Sequence, residues 1–203
     1  MDRSNGNNGN HDSVAVVTGS SRGIGKAITR EFVQNGYCVV LNSRDEEDLN
    51  RAAQDIAKDQ RIHYIAGDVS QENICRLSIQ AAIKKFGKLD VLVNNAGIGG
   101  ESKKINEIST SDWSYVIDVN LKGAFLCTRE ELHNSDIADS NAKNYYSIIN
   151  TSSVHESIPQ PDAAHYAASK GRVFRTCLTH GRQADLFVWQ KQRSRKITRH
   201  ALQ

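Results

Sequence analysis

No run of about 18 consecutive apolar residues occurs in this 203-residue chain, so no segment reads as a membrane span. Residues 1–13 lack an apolar core and a basic start, which excludes a signal peptide; rich in Asn and Gly, they read as a disordered leader. Cysteine is sparse. Cys38, Cys75, Cys127 and Cys177 show no metal-ligand spacing, so no metal site is expected, and reduced thiols in a cytoplasmic protein follow. Pro159 and Pro161 are the only prolines, so no later segment can hold a Pro-Gly turn. The formal net charge of +3 is too small to point to nucleic acid. Internal repeats are absent. What is present is ordinary for a soluble globular protein: 38% hydrophobic and 24% charged residues, enough chain for one α/β domain with a real core.

Short β-branched runs alternate with amphipathic stretches, the pattern of βαβ units and a parallel sheet. Val14–Val17 reads as the first strand. Ile24, Ala27, Ile28 and Phe32 share one helical face, and Gly36 closes that helix. Further strands are predicted at Cys38–Leu41, His63–Ala66, Val91–Val93 and Ser147–Asn150. Helices are predicted over Glu46–Asp59, through Ile74, Ile79 and Ile83, and over Ser111–Leu132 with Ser109 or Ser111 as cap. The polar stretch Asn134–Asn144 reads as a surface loop.

Directly after the first strand stands Thr18-Gly19-Ser20-Ser21-Arg22-Gly23-Ile24-Gly25. Glycines there permit a tight turn and let backbone amides approach a pyrophosphate, while the following helix N-terminus offers unpaired N–H groups and a favourable dipole. Five more motifs follow in order: Asp68-Val69, Asn94-Asn95-Ala96-Gly97, Asn120 in Val-Asn-Leu-Lys-Gly, Ser153, and, thirteen positions later, Tyr166-x-x-x-Lys170. Together they resemble the short-chain dehydrogenases/reductases, across roughly Val14 to Gly171. The resemblance implies a Rossmann-type, doubly wound parallel α/β sheet. It implies a cofactor site of Gly19, Ser21, Arg22, Gly23, Ile24, Gly25, Ser43, Arg44, Asp68, Val69, Asn94, Ala96 and Gly97, with Tyr166 and Lys170 at the nicotinamide end.

Tyr166 and Lys170 are four apart and share a helical face. A phenol ordinarily titrates near about 10, and a neighbouring ammonium favours its ionised form. On the family pattern Tyr166 is the general base for alcohol oxidation and the general acid for carbonyl reduction. Ser153 then orients the reacting oxygen, Lys170 also holds the nicotinamide ribose, and Asn120 fixes a relay water. The acidic position that selects NAD falls on Ser43, which carries no charge. Arg44 and Arg22 suit a ribose 2′-phosphate, so NADP is the expected cofactor, with NAD possible; Asp45 and Glu46 weigh the other way. Several segments resemble the bacterial glucose 1-dehydrogenases in particular, above all Ile149-Asn150-Thr151-Ser152-Ser153-Val154-His155-Glu156 and His165 to Gly171. That implies a sugar substrate, glucose going to gluconolactone, held by Ser153, His155 and Tyr166, with Glu156 also able to meet sugar hydroxyls.

After Gly171 the resemblance stops. Residues 172–203 hold eight basic residues and one acid, a charge of +7, so the overall +3 leaves −4 for residues 1–171. The domain reading is therefore a leader (1–13), a dinucleotide-binding and catalytic domain (14–171) and a basic divergent tail (172–203). A shift of reading frame near codon 171 accounts for the break; the alternative is a genuine basic tail for nucleic acid or acidic partners. On the first reading the C-terminal strands are missing, the fifth strand is an open edge, and the family's homo-tetramer is in doubt. The whole then reads as an oxidoreductase, with an inactive nucleotide-binding pseudoenzyme and a basic-tailed binding protein as alternatives.

Overall fold

The structure is a computed structural model and describes residues 13–57, 60–138, 147–173 and 184–187. Six strands form one parallel sheet in the order β3-β2-β1-β4-β5-β6: β1 Val14–Thr18, β2 Cys38–Ser43, β3 Ile62–Ala66, β4 Val91–Asn94, β5 Ser147–Thr151 and β6 Ala184–Phe187. The helices are α1 Gly23–Gln34, α2 Glu46–Ile56, α3 Glu72–Phe86, α4 Thr110–Ile117, α5 Gly123–Ala138 and α6 Ala164–Val173. The doubly wound parallel sheet is the one predicted.

Alternation along the strands builds two cores. Val14 and Val16 of β1, with Cys38 and Val40 of β2, face one side and pack with Ile79 of α3 and Leu126 of α5. Ala15, Val17, Val39 and Leu41 face the other side and pack with Val33 of α1 and Leu49 of α2. Every residue of β1 is buried, as a central strand covered on both faces must be. The chain reverses direction across the sheet between β1 and β4. The crevice at the carboxyl ends of those strands is where open α/β sheets place ligands.

Three expectations are corrected. The tail was predicted to supply no further strand, yet Ala184–Phe187 pairs in parallel with β5, in the register Ile148↔Ala184 to Thr151↔Phe187. The physical reason is the open β5 edge itself, whose free N–H and C=O groups the short run Ala-Asp-Leu-Phe can satisfy. Among the described residues no seventh strand follows. The long helix is three abutting pieces: α4, capped by Ser109 accepting from Asp112 N at 3.1 Å, a π-turn over Asp118–Lys122, and α5. Thirdly, α5 runs on to Ala138, into the stretch read as loop. The predicted leader apart from Ser13, and the tail apart from residues 172–173 and 184–187, lie outside the described residues.

Candidate active site

The turn after β1 exists in this form only because its glycines lack side chains. Gly19 adopts φ +64°, and a Cβ there would lie 2.8 Å from Ala96 Cα; a Cβ on Gly25 would lie 2.3 Å from Gly19 O. The turn is stitched to the end of β4. Thr18 Oγ1 accepts from Asn95 N and Ala96 N, both at 3.0 Å, and Asn95 Nδ2 donates to Thr18 O at 2.9 Å. Helix α1 then begins with no side-chain cap and no acid in its first turn. Its leading N–H groups, and the positive end of its dipole, are left for an anion.

Gly19, Ser21, Arg22, Ile24 and Gly25 line one end of a groove. Ser43, Arg44, Asp68, Val69, Ala96 and Gly97 line it too, so most of the predicted cofactor residues converge. Gly23, at φ +57°, admits the chain to α1 and does not line the groove. Asn94 does not line it either. It is buried beneath, donating to Asn150 Oδ1 at 2.9 Å and Thr128 Oγ1 at 3.1 Å, and so ties β4 to β5 and α5. Its neighbour Asn95 lines the groove instead, as do Asn42, Gly67, Ile98 and Val119, which sequence reasoning missed. Asn42 had a signal of sorts, a polar residue inside a β-branched run. It holds the β3 exit by donating to Ile65 O at 3.0 Å and Gly67 O at 3.2 Å. Ser21 donates to the Ser43 hydroxyl at 3.0 Å. Asp45, which weighed against a phosphate, is engaged elsewhere: its carboxylate caps α2, accepting from Asp48 N at 2.8 Å.

A second cavity shares Ile24, Asn95, Gly97 and Ile98 with the first, so the two are ends of one groove. Ser153, His155, Tyr166 and Lys170 line this end. Ser153 follows β5 and accepts from His155 N at 3.3 Å, opening a 3-10 turn over Val154–Glu156. Tyr166 and Lys170 lie one turn apart on α6. Lys170 is 4% exposed, and its Nζ donates to Thr151 O at 2.8 Å and sits 6.0 Å from the centre of the Tyr166 ring. Burial disfavours its charged form and brings its pKa down to about 8. The His155 ring stands edge-on to Tyr166 with centroids 6.2 Å apart, and its Nδ1 bonds Ile158 O at 3.0 Å.

Asn120 is buried behind this cavity in the π-turn. Its Oδ1 accepts from Ile98 N at 2.7 Å, and its Nδ2 donates to Ile98 O and to Ser169 Oγ, both at 2.9 Å. Ser169 in turn donates to Tyr166 O at 2.7 Å. A Cβ on Gly97 would come within 3.3 Å of Lys170 Nζ and 3.4 Å of Asn120 Oδ1, so glycine keeps both side chains within reach of the groove. Glu156 is occupied locally: its carboxylate accepts from the Ser152 hydroxyl, which also lies 3.2 Å from Lys170 O.

A family model described as short chain dehydrogenase matches residues 13–185. The chain is 37% identical over 161 residues to glucose 1-dehydrogenase 2 of Bacillus subtilis (strain 168), covering 78% of this chain and 61% of that protein. It is 36% identical over 166 residues to the 3beta-hydroxysteroid dehydrogenase of Mediterraneibacter gnavus, covering 80% and 57%. It thus spans about three fifths of the length of these curated relatives. Among solved structures, it is similar to 3-ketoacyl-(acyl-carrier-protein) reductase from Brucella melitensis complexed with NADH (TM-score 0.73, 30% identity, 81% of this chain and 67% of that one). It is also similar to a metagenomic short-chain oxidoreductase in complex with NADP (TM-score 0.76, 33% identity, 87% and 81%).

Proposed function

The chain belongs to the short-chain dehydrogenase family of oxidoreductases, and from that premise we propose that it moves a hydride between a nicotinamide dinucleotide and a carbon bearing an alcohol or carbonyl. One observation carries the reading: Ser153, Tyr166 and Lys170 line one end of a groove whose other end is the glycine turn. The residues present fit a dinucleotide. Gly19 and Gly25 leave the turn close to the β4 exit, α1 offers an uncapped N-terminus, and Gly97 leaves open the space beside Lys170 and Asn120. A bound nicotinamide ring supplies the hydride donor or acceptor.

The protein's own part is positional and acid–base. Tyr166 takes the proton of a substrate hydroxyl as the carbon is oxidised, or gives one to a carbonyl oxygen as it is reduced. Lys170, with an ammonium that is lost as pH rises through about 8, supports the ionised phenol electrostatically and holds the nicotinamide ribose. Ser153 orients the substrate oxygen, and His155 meets the rest of the substrate. Asn120 braces the site: its amide fixes Ile98 and, through Ser169, the Tyr166 backbone.

Glucose is the substrate favoured by the resemblance around Ser153–Glu156 and by the glucose 1-dehydrogenase relative; NADP is the favoured cofactor because Arg22 and Arg44 line the groove and Asp45 is spent on a cap. A hydroxysteroid is the second reading, since a relative of that name is nearly as similar and Ile98 and Val154 give the substrate end an apolar side. The test is an absorbance assay of the full chain with glucose and with a 3β-hydroxysteroid, each against NADP and NAD. Turnover of glucose with NADP is the expected result. Turnover of the steroid alone overturns the sugar assignment, and cofactor binding with no turnover of either leaves the pseudoenzyme.

A further inference from the structure

Arg44 leaves the end of β2, lines the groove, and is joined across its rim to a residue from another part of the fold. Its Nη1 donates to the phenol oxygen of Tyr115, on α4. Tyr115 is 45% exposed, one turn before the groove-lining Val119, and belongs to neither apolar core. Core packing therefore does not explain why an aromatic stands there. Among the described residues neither Arg44 nor Arg22 enters an ion pair, so both guanidiniums are free of a carboxylate partner in a groove whose lining holds one acid, Asp68.

From this we infer that Tyr115 is a specificity-determining positioning residue: its phenol holds the Arg44 guanidinium at the groove mouth so that the arginine receives the phosphate monoester that distinguishes NADP from NAD. This rests on the dinucleotide reading above and adds a residue to it. The chemistry favours a phenol over a carboxylate in this role. A guanidinium has five N–H donors in a rigid fork. A neutral phenol oxygen takes one of them and leaves the charge and the remaining donors for a phosphate. A carboxylate would neutralise the charge and take the fork. Held on one side, the long arginine side chain also loses less rotamer freedom when the anion arrives.

The experiment is equilibrium binding of NADP, NAD, 2′,5′-ADP and 5′-AMP to the full chain, to Tyr115→Phe, to Arg44→Ala and to the double variant. Tyr115→Phe keeps the ring and removes only the oxygen. It is expected to weaken NADP and 2′,5′-ADP by about fivefold, the size of one hydrogen bond, while NAD and 5′-AMP stay within about twofold. In the Arg44→Ala background the same change has no further effect on any of the four. Equal weakening of phosphorylated and unphosphorylated ligands would show the ring acting on adenine, and overturns the inference. So does persistence of the effect without Arg44, or no effect at all. Failure of the unaltered chain to bind any of the four is a different result: it removes the dinucleotide reading itself. Thermal melts of each variant separate loss of folding from loss of binding.

Discussion

The two halves of the groove are held by different kinds of contact. Around the glycine turn, hydrogen bonds of Thr18, Asn95 and Asn42 are laid over an apolar base: β1 and β2 present Val14, Val16, Val39, Val40 and Leu41, all 0% exposed, to helices on both faces. Around Tyr166 the support is polar. From Ser147 to Gly171 the buried residues are one apolar side chain, Ile148, and six polar ones: Asn150, Ser152, Ser153, His165, Ser169 and Lys170. Apolar packing is non-directional and tolerates small shifts, whereas a hydrogen-bonded network fixes angles and fails when one partner is lost. The binding end thus rests a hydrogen-bonded turn on an apolar base, and the reacting end relies on hydrogen bonds of Asn150, Ser152, Ser169 and Lys170, with the buried His165 ring outside them.

Substitutions can break this contrast. Leu41→Ala should cost about 2–5 kcal/mol of unfolding free energy by opening a cavity in the first half, with kcat of the surviving folded protein little changed. Denaturant titration beside a turnover assay checks this, and a large fall in kcat at unchanged stability would contradict it.

A buried carboxyl lies on α5, in the field of Asp90 just before β4. Glu131 on α5 is 3% exposed, and its Oε2 has no partner among the described residues. Burial first, and the charge of Asp90 second, push its pKa up to about 7 from 4.5. The folded state therefore holds this proton over a range in which the unfolded chain has lost it. Stability from this group is full below about 4.5 and falls as pH rises to about 7, by on the order of 3 kcal/mol. Glu131→Gln should raise the Tm at pH 8 and leave it unchanged at pH 4 in melts across that range; equal shifts at both would remove ionisation as the cause.

The smallest effect on stability should come from the polar half. Ser169→Ala removes the hydroxyl between Asn120 and Tyr166 O, at a cost of about 1–2 kcal/mol. The expected signature is a fall in kcat of about tenfold or more with a smaller rise in KM for the cofactor, because the loosened helix carries Tyr166 and the ribose-holding Lys170 while the glycine turn is untouched. A change confined to cofactor KM would argue that the halves are not separable.

How much of this was visible in the sequence follows the same division. Strands β1 to β5 were legible because they are short runs rich in β-branched residues, and the glycine turn because a backbone requirement leaves its mark on residue type. Contacts made at long range left no such mark. Nothing in the local pattern around Asn120 signals a π-turn, which appears only where Gly123 N bonds Asp118 O, five residues back. Helix α5 outruns its prediction because Asn134-Ser135-Asp136, a polar run, interrupts the apolar periodicity before its end. Strand β6 was hidden in a segment whose charge suggested anything but a sheet, and it forms because β5 offers an edge. Asn94 and Asn95 are adjacent and chemically identical, so only the fold decides which of them faces the groove.

The central claim is that binding and reaction are supported separately, and Tyr166→Phe addresses it most directly. NADPH titrated into the full chain and into this variant, with turnover measured on the same samples, gives both quantities at once. The account predicts cofactor affinity within about twofold of the unaltered protein and turnover lower by at least about a hundredfold, the scale of a lost general acid–base. Turnover surviving in the variant, or cofactor affinity collapsing together with turnover, would contradict it.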